Sequence, residues 1–197
     1  MNLPNKLTVS RFLLTIAFVA AIYSTLPFHE TMALALFVVA SITDYYDGMI
    51  ARRDKLITNF GILMDPLVDK ILVCSAFIAF VGRGWLPAWM AVIIVARELA
   101  VTGMRLLAAS KNVVLSAEAL GKHKTTMQII AIICTLIRGS YMQWGEGASG
   151  FFALNVFGMP WVALVTVVAQ WLAVLLTLLS GASYMWRNRH LYMQDVG

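Results

Sequence analysis

Six stretches of about twenty mostly apolar residues divide this 197-residue chain, at roughly 8–27, 31–51, 62–82, 86–108, 123–141 and 159–186. About twenty such residues are what a helix needs to cross the hydrocarbon core of a bilayer. Inside lipid, a helix satisfies all its backbone polar groups within one segment. The chain is 60% hydrophobic and 13% charged, with a mean hydropathy of +0.80. Soluble domains carry about a quarter charged residues, so a soluble fold is a poor expectation. The pattern predicts an all-α integral membrane protein with six transmembrane helices, forming one membrane-embedded domain over residues 1–197. The last stretch is long enough to tilt or to project beyond the bilayer. The segment "MNLPNKLTVSRFLL" predicts a short N-terminal interfacial helix. The first run is longer than a signal-peptide core, and no small-x-small cleavage site precedes the next run, so it is read as a retained helix.

Basic residues orient the spans. With six crossings, both termini and the 2–3 and 4–5 connections share one side. That side collects Lys6, Arg11, Arg52, Arg53, Lys55, Arg105, Lys111, Lys122, Lys124, Arg187 and Arg189, against Arg83 and Arg138 opposite. Lys70 and Arg97 fall within spans. The bias predicts termini facing the cytoplasm, in a multi-pass protein of the cytoplasmic membrane. It also makes the net charge of +5 a feature of the membrane surface, with no nucleic-acid partner. The tail "YMWRNRHLYM" has the aromatic and basic residues of an interfacial anchor, and "GEGASG" at 145–150 reads as a flexible outer loop. Cys74 and Cys134 both fall inside spans, match no metal-site spacing, and read as small core residues.

Against this background, four carboxylates in twenty-six residues stand out: Asp44 and Asp47 at the end of the second stretch, Asp65 and Asp69 at the start of the third. Ionisable groups inside membranes are costly and mark function. Spacings of i,i+3 and i,i+4 put each pair on one helix face, and the short connection "ARRDKLITNFG" keeps the pairs at one end. Four converging carboxylates ionise together only if cations neutralise them. Oxygen-only ligands favour hard ions such as Mg²⁺, Mn²⁺ or Ca²⁺, the usual setting for metal-assisted phosphoryl chemistry. Gly48 and Gly61 leave room for close approach of backbone or ligand. Arg52, two turns after Asp44, can pair with a phosphate or with Asp44 and Asp47. A solvated helix cap is the competing reading of a single pair, and Asp54 reads as solvated.

From Asp44 to Asp69 the chain reads D-x2-D-G-x2-A-R-x8-G-x3-D-x3-D, with Asp44, Asp47, Gly48, Ala51, Arg52, Gly61, Asp65 and Asp69 at the fixed positions. This resembles the signature of the CDP-alcohol phosphotransferase family, and the length and six spans resemble it over essentially the whole chain. The resemblance implies a six-helix membrane fold, a homodimer, and transfer of a phosphatidyl group from CDP-diacylglycerol to an alcohol with release of CMP. It implies two divalent ions, Mg²⁺ or Mn²⁺, held by Asp44, Asp47, Asp65 and Asp69, with Asp69 also the base on the acceptor hydroxyl. It implies a CDP site formed by Asn5, Asp47, Gly48, Arg52 and Gly61.

"NKLTVSR", "ARELAVTGMR" and "GKHKTTMQ" bear on the acceptor. Arg97 and Glu98 must face the protein interior to be tolerated in a span. As neighbours on a helix they do not face one another, although a structural pair stays open. Arg matches phosphate with its fork of donors. Lys122 and Lys124 read as surface anchors when taken alone, and His123 as exposed. Together, "NxLTxxR", "ARE", Arg105 and "GKxKT" are similar to the branch of the family that makes phosphatidylglycerophosphate. That similarity implies an sn-glycerol 3-phosphate acceptor, with Thr8, Arg11, Arg97, Arg105, Lys122 and Lys124 on its side. Inositol phosphate and then serine are the alternative acceptors. A divalent-cation transporter is the alternative of another class, weakened because spans 1, 5 and 6 carry no acidic residue to continue an ion path. An inactive scaffold is a third, against which the intact signature speaks.

Overall fold

The computed structural model describes residues 3–54, 59–111 and 119–189, with side chains described over 9–43, 70–109 and 123–189 and at Lys111 and Gly121. Among the described residues the chain forms α1 (Leu3–Tyr23), α2 (His29–Asp54), α3 (Asn59–Gly82), α4 (Ala88–Ser110), α5 (Ala119–Ser140), α6 (Glu146–Phe152) and α7 (Trp161–Arg187). Six of these fall on the six apolar stretches. Two helical segments, His123–Gln143 and Trp161–Arg187, are long and apolar enough to cross a membrane, and Val9–Tyr23, His29–Thr43 and Lys70–Gly82 are shorter apolar helical segments. Pro87 and Pro160 stand directly before α4 and α7, at φ −62° and −53°. A fixed φ and a missing N–H are tolerated at a helix start, where that donor has no intrahelical partner.

Two differences from the sequence expectation stand out. The chain from Leu3 onward runs into α1 without a break, so no separate N-terminal helix precedes the first long one. The "GEGASG" segment is not a loop throughout, because α6 begins at Glu146. Aromatic packing holds it there. Phe152 stacks on Trp161 at 5.4 Å and meets Trp144 edge-on at 5.5 Å, and Trp161 Nε1 donates to the Phe151 carbonyl at 2.7 Å. After α6, Asn155–Val156 pairs with Met159–Pro160 in a minimal antiparallel hairpin.

Successive long helices alternate in direction. At one end of the bundle Arg83, just past α3, meets Glu30 in the first turn of α2, with Nη2 to Oε1 at 2.7 Å. Gln143, just past α5, donates to the same carboxylate at 3.2 Å. At this end Tyr23 of α1 also donates to the Ala79 carbonyl of α3 at 3.3 Å. The core runs through α1, α2, α3, α4, α5 and α7, with Phe18, Phe37, Phe77 and Phe80 fully buried in it; Phe18 and Phe37 lie 5.7 Å apart, within aromatic contact range.

α5 packs along α7 through small residues, Ala131, Ala169 and Ala173, all buried. Small side chains let helix backbones approach. The seam is fastened by buried polar pairs. Gln128 Nε2 donates to Thr177 Oγ1 at 3.0 Å, Gln170 Nε2 to Thr135 Oγ1 at 3.1 Å, and Thr166 Oγ1 to the Cys134 carbonyl at 3.1 Å. Leu13 and Ile16 on α1, Val92 and Leu99 on α4, and Leu175 and Leu179 on α7 remain exposed, an apolar surface suited to lipid. Cys74 and Cys134 are half-buried and free.

Candidate active site at one end of the bundle

The helix bounds put the two aspartate pairs at similar distances from the α2–α3 connection. α2 ends at Asp54 and α3 begins at Asn59, and the helices run in opposite directions. Asp44 and Asp69 are each ten residues from those ends. At 1.5 Å per residue each stands about 15 Å into its helix. Asp47 and Asp65 are seven and six residues in. Each pair keeps one face by its i,i+3 or i,i+4 spacing. The side chains of Asp44, Asp47, Asp65 and Asp69, with those of Asn5, Thr8, Arg52 and Lys122 and the surroundings of Gly48 and Gly61, lie outside the described residues. Among the described residues no cluster of three or more His, Cys, Asp or Glu groups could hold a metal ion. The four aspartates supply only oxygen donors, which fit a hard divalent cation.

At the same end lies a cavity of about 190 Å³. α1 contributes Arg11, α2 Ser41, α3 Lys70 with Leu72 and Val73, α4 Glu98, and α5 Lys124, Thr125, Gln128 and Ile129. Ser41 lies one turn before Asp44 and Lys70 directly follows Asp69, so the cavity adjoins the aspartate segments of both helices. Three cationic side chains face one carboxylate across its walls, which suits an anionic ligand.

Arg11 and Lys124 are 5% and 3% exposed. Lys124 is therefore no surface anchor. Its ammonium pairs with Glu98 of α4, because a buried charge must find a partner. His123, its neighbour, is exposed as expected. Arg97 and Glu98 do touch, with Nη1 3.4 Å from Oε1. The flexible arginine stem reaches sideways where the helix register alone would separate them. Arg97 Nη2 donates to Ser180 Oγ of α7 at 2.6 Å, and Nε is buried with no hydrogen-bond partner among the described residues. Arg97 is thus seated between α4 and α7, behind the cavity wall. Arg105 stands apart. It is exposed, with its guanidinium 5.8 Å from the ring of Tyr184.

Sequence reasoning assigned no site role to Lys70, Glu98, Ser41 or Gln128. Gln128 carries a signal, four residues after Lys124 on the same face of α5. Lys70 is anchored across the bundle, its ammonium donating to Thr102 Oγ1 of α4, and no local pattern announces such a partner.

A helical bundle with a cavity lined by Arg11, Lys70 and Lys124, next in sequence to four aspartates, has the charges and oxygen donors that suit a phosphorylated ligand and a hard cation. The family model described as CDP-alcohol phosphatidyltransferase matches residues 1–179, and the chain belongs to this family. It is similar to the CDP-diacylglycerol–glycerol-3-phosphate 3-phosphatidyltransferase of Bacillus subtilis, 36% identical over 95% of both chains. It is similar to the Rickettsia felis protein of the same name, 32% identical over 93% of both chains. A probable phosphatidylglycerophosphate synthase of Mycobacterium tuberculosis is 36% identical over 100% of this chain and 84% of its own length.

Proposed function

We propose that the chain is a single membrane domain crossing the bilayer six times, working as a homodimer in the cytoplasmic membrane with termini and active site toward the cytoplasm. It transfers the phosphatidyl group of CDP-diacylglycerol to sn-glycerol 3-phosphate, giving phosphatidylglycerophosphate and CMP. The observation that carries this reading is the cavity lined by Arg11, Lys70 and Lys124 directly beside the segment holding the full family signature. The names of the relatives specify the same acceptor.

In this reading Asp44, Asp47, Asp65 and Asp69 hold two Mg²⁺ ions, with Mn²⁺ able to replace them. Bound there, the ions supply charge stabilisation to the phosphates of CDP-diacylglycerol and to the departing CMP. Asn5, Asp47, Gly48, Arg52 and Gly61 bind the CDP moiety. Arg11 and Lys124 at the cavity wall, with Thr8 and Lys122 and with Arg97 behind them, hold and orient the phosphate of the acceptor, while Arg105, which packs over Tyr184, is left out of this role. A held acceptor meets the lipid substrate in one geometry, which lowers the entropic part of the barrier. Asp69 takes the proton of the acceptor hydroxyl. That oxygen bonds to the phosphatidyl phosphorus as the bond from phosphorus to the CMP oxygen breaks. A site at the membrane interface leaves the diacyl tails in lipid while the polar groups react.

The test is CMP release by the purified protein with CDP-diacylglycerol and Mg²⁺, acceptor by acceptor. Release that depends on glycerol 3-phosphate is expected. Release with inositol phosphate or serine in its place would overturn the acceptor assignment and keep the family reaction.

A further inference from the structure

α4 turns two polar side chains toward the cavity side of the bundle, Glu98 and Thr102, four residues apart and so on one face. Glu98 is 4% exposed. Its Oε1 receives the ammonium of Lys124 from α5 and lies 3.4 Å from Arg97 Nη1. Thr102 Oγ1 donates to the Glu98 carbonyl at 2.7 Å and accepts from the ammonium of Lys70 on α3. One turn of α4 thus holds two lysines that arrive from two different helices. Lys70, Glu98 and Lys124 all line the same cavity.

Lysine is a point charge on a flexible four-carbon stem. Fixing that stem before a ligand arrives removes the entropic cost of ordering it on binding. A membrane interior disfavours a carboxylate strongly enough that its presence needs a reason. Glu98 lowers the positive charge facing an anionic ligand, so on electrostatics alone it opposes binding. Its geometry does the reverse, because it fixes where Lys124 presents its charge.

We propose that Glu98 and Thr102 are positioning residues that hold Lys124 and Lys70 at the cavity wall for the acceptor phosphate, which makes Lys70 a further acceptor-side residue. The inference rests on the proposed reading of the cavity as the acceptor site.

The two roles open to Glu98 give opposite signs. If it only offsets charge, Glu98→Gln tightens acceptor binding. If it positions Lys124, Glu98→Gln weakens it. The experiment measures KM for glycerol 3-phosphate and for CDP-diacylglycerol separately, on the full chain in lipid nanodiscs. Glu98→Gln is expected to raise the acceptor KM roughly 10- to 100-fold, the scale of displacing a group by about 1 Å. KM for CDP-diacylglycerol stays unchanged, and Glu98→Asp restores part of the loss. The Glu98→Gln effect disappears in a Lys124→Gln background, as for residues acting through one contact. Thr102→Val keeps the shape, removes the hydroxyl and raises the acceptor KM by a smaller factor; it carries the test if Glu98→Gln does not fold. An acceptor KM that falls, or stays within about twofold of wild type in a folded variant, overturns the proposal. Wild-type turnover is measured first. If wild type prefers another phosphorylated alcohol, the proposed function is corrected and the same ratios are read with that alcohol. If it accepts only unphosphorylated alcohols, both are overturned.

Discussion

Gly181 on α7 faces the stem of Arg97 on α4 so closely that a methyl group on it would stand 2.9 Å from Arg97 Cγ. Its neighbour Ser180 accepts a hydrogen bond from the same guanidinium. Two consecutive residues of α7 therefore set both the path of the arginine stem and the position of its head. Gly181→Ala is expected to displace Arg97, costing about 1–3 kcal/mol of stability as an overpacked contact does. It should also raise KM for glycerol 3-phosphate about tenfold, if Arg97 serves the acceptor. Steady-state kinetics on each substrate check this. A destabilised variant with wild-type acceptor KM would leave Arg97 as a purely structural residue.

The four aspartates make a prediction that does not depend on the acceptor. Chelating divalent ions is expected to stop CMP release, and Mg²⁺ or Mn²⁺ to restore it. Asp65→Asn should abolish turnover, and Asp69→Asn should lower kcat roughly 10²- to 10⁴-fold through loss of the base. Electron paramagnetic resonance of bound Mn²⁺ supplies a readout besides turnover. Wild type should retain two ions per chain, and Asp65→Asn fewer. Full activity in metal-free buffer would refute the ligand assignment outright.

How far the sequence reveals this protein differs between its parts. The six long helices are legible because burying apolar side chains along twenty residues leaves a run that nothing in a short loop imitates. α2 continues past the apolar run to Asp54, since arginines such as Arg52 and Arg53 favour the helix about as well as leucine does. α6 is not legible, because what holds it is the packing of Phe152 on Trp144 and Trp161, and the Gly-rich composition of "GEGASG" points the other way. The aspartate spacing is legible because the chemistry is written in consecutive turns. Lys124, taken alone, reads as a surface anchor for the opposite reason. Its partner Glu98 lies 26 residues away on another helix, and only the fold brings them together. Lys70 is the same case, anchored to Thr102 at a separation of 32 residues.

The far end of the bundle should affect stability alone. Glu30 is 8% exposed and depends on Arg83 at 2.7 Å and Gln143 at 3.2 Å. Arg83 also lies 5.1 Å from the ring of Trp85. Arg83→Met keeps much of the apolar stem and removes the charge partner. It is expected to cost about 1–3 kcal/mol, the penalty for a buried polar group left short of a partner. Thermal unfolding in detergent should show the loss, while KM for both substrates stays at wild type. A changed acceptor KM would show that the two ends are coupled.

Phe157 offers a stabilising substitution. It sits with Gly158 in the two-residue turn between the paired segments, at φ 53° and 83°. Two positive φ values mark the type I′ class, which favours Asn-Gly. For a bulky residue with a Cβ, the left-handed conformation costs about 1–2 kcal/mol. Phe157 is also 92% exposed, so the ring gains nothing from packing within the chain. Phe157→Asn should relieve the backbone and raise the unfolding temperature in detergent micelles, by up to about 1 kcal/mol of stability. The same substitution in a bilayer separates two explanations of the residue. If Phe157 inserts its ring among lipid headgroups, as aromatic residues at membrane interfaces do, the gain seen in micelles shrinks or reverses in vesicles. An equal gain in both media would mean the ring contacts no lipid. A lower unfolding temperature in micelles would show that the turn is not strained.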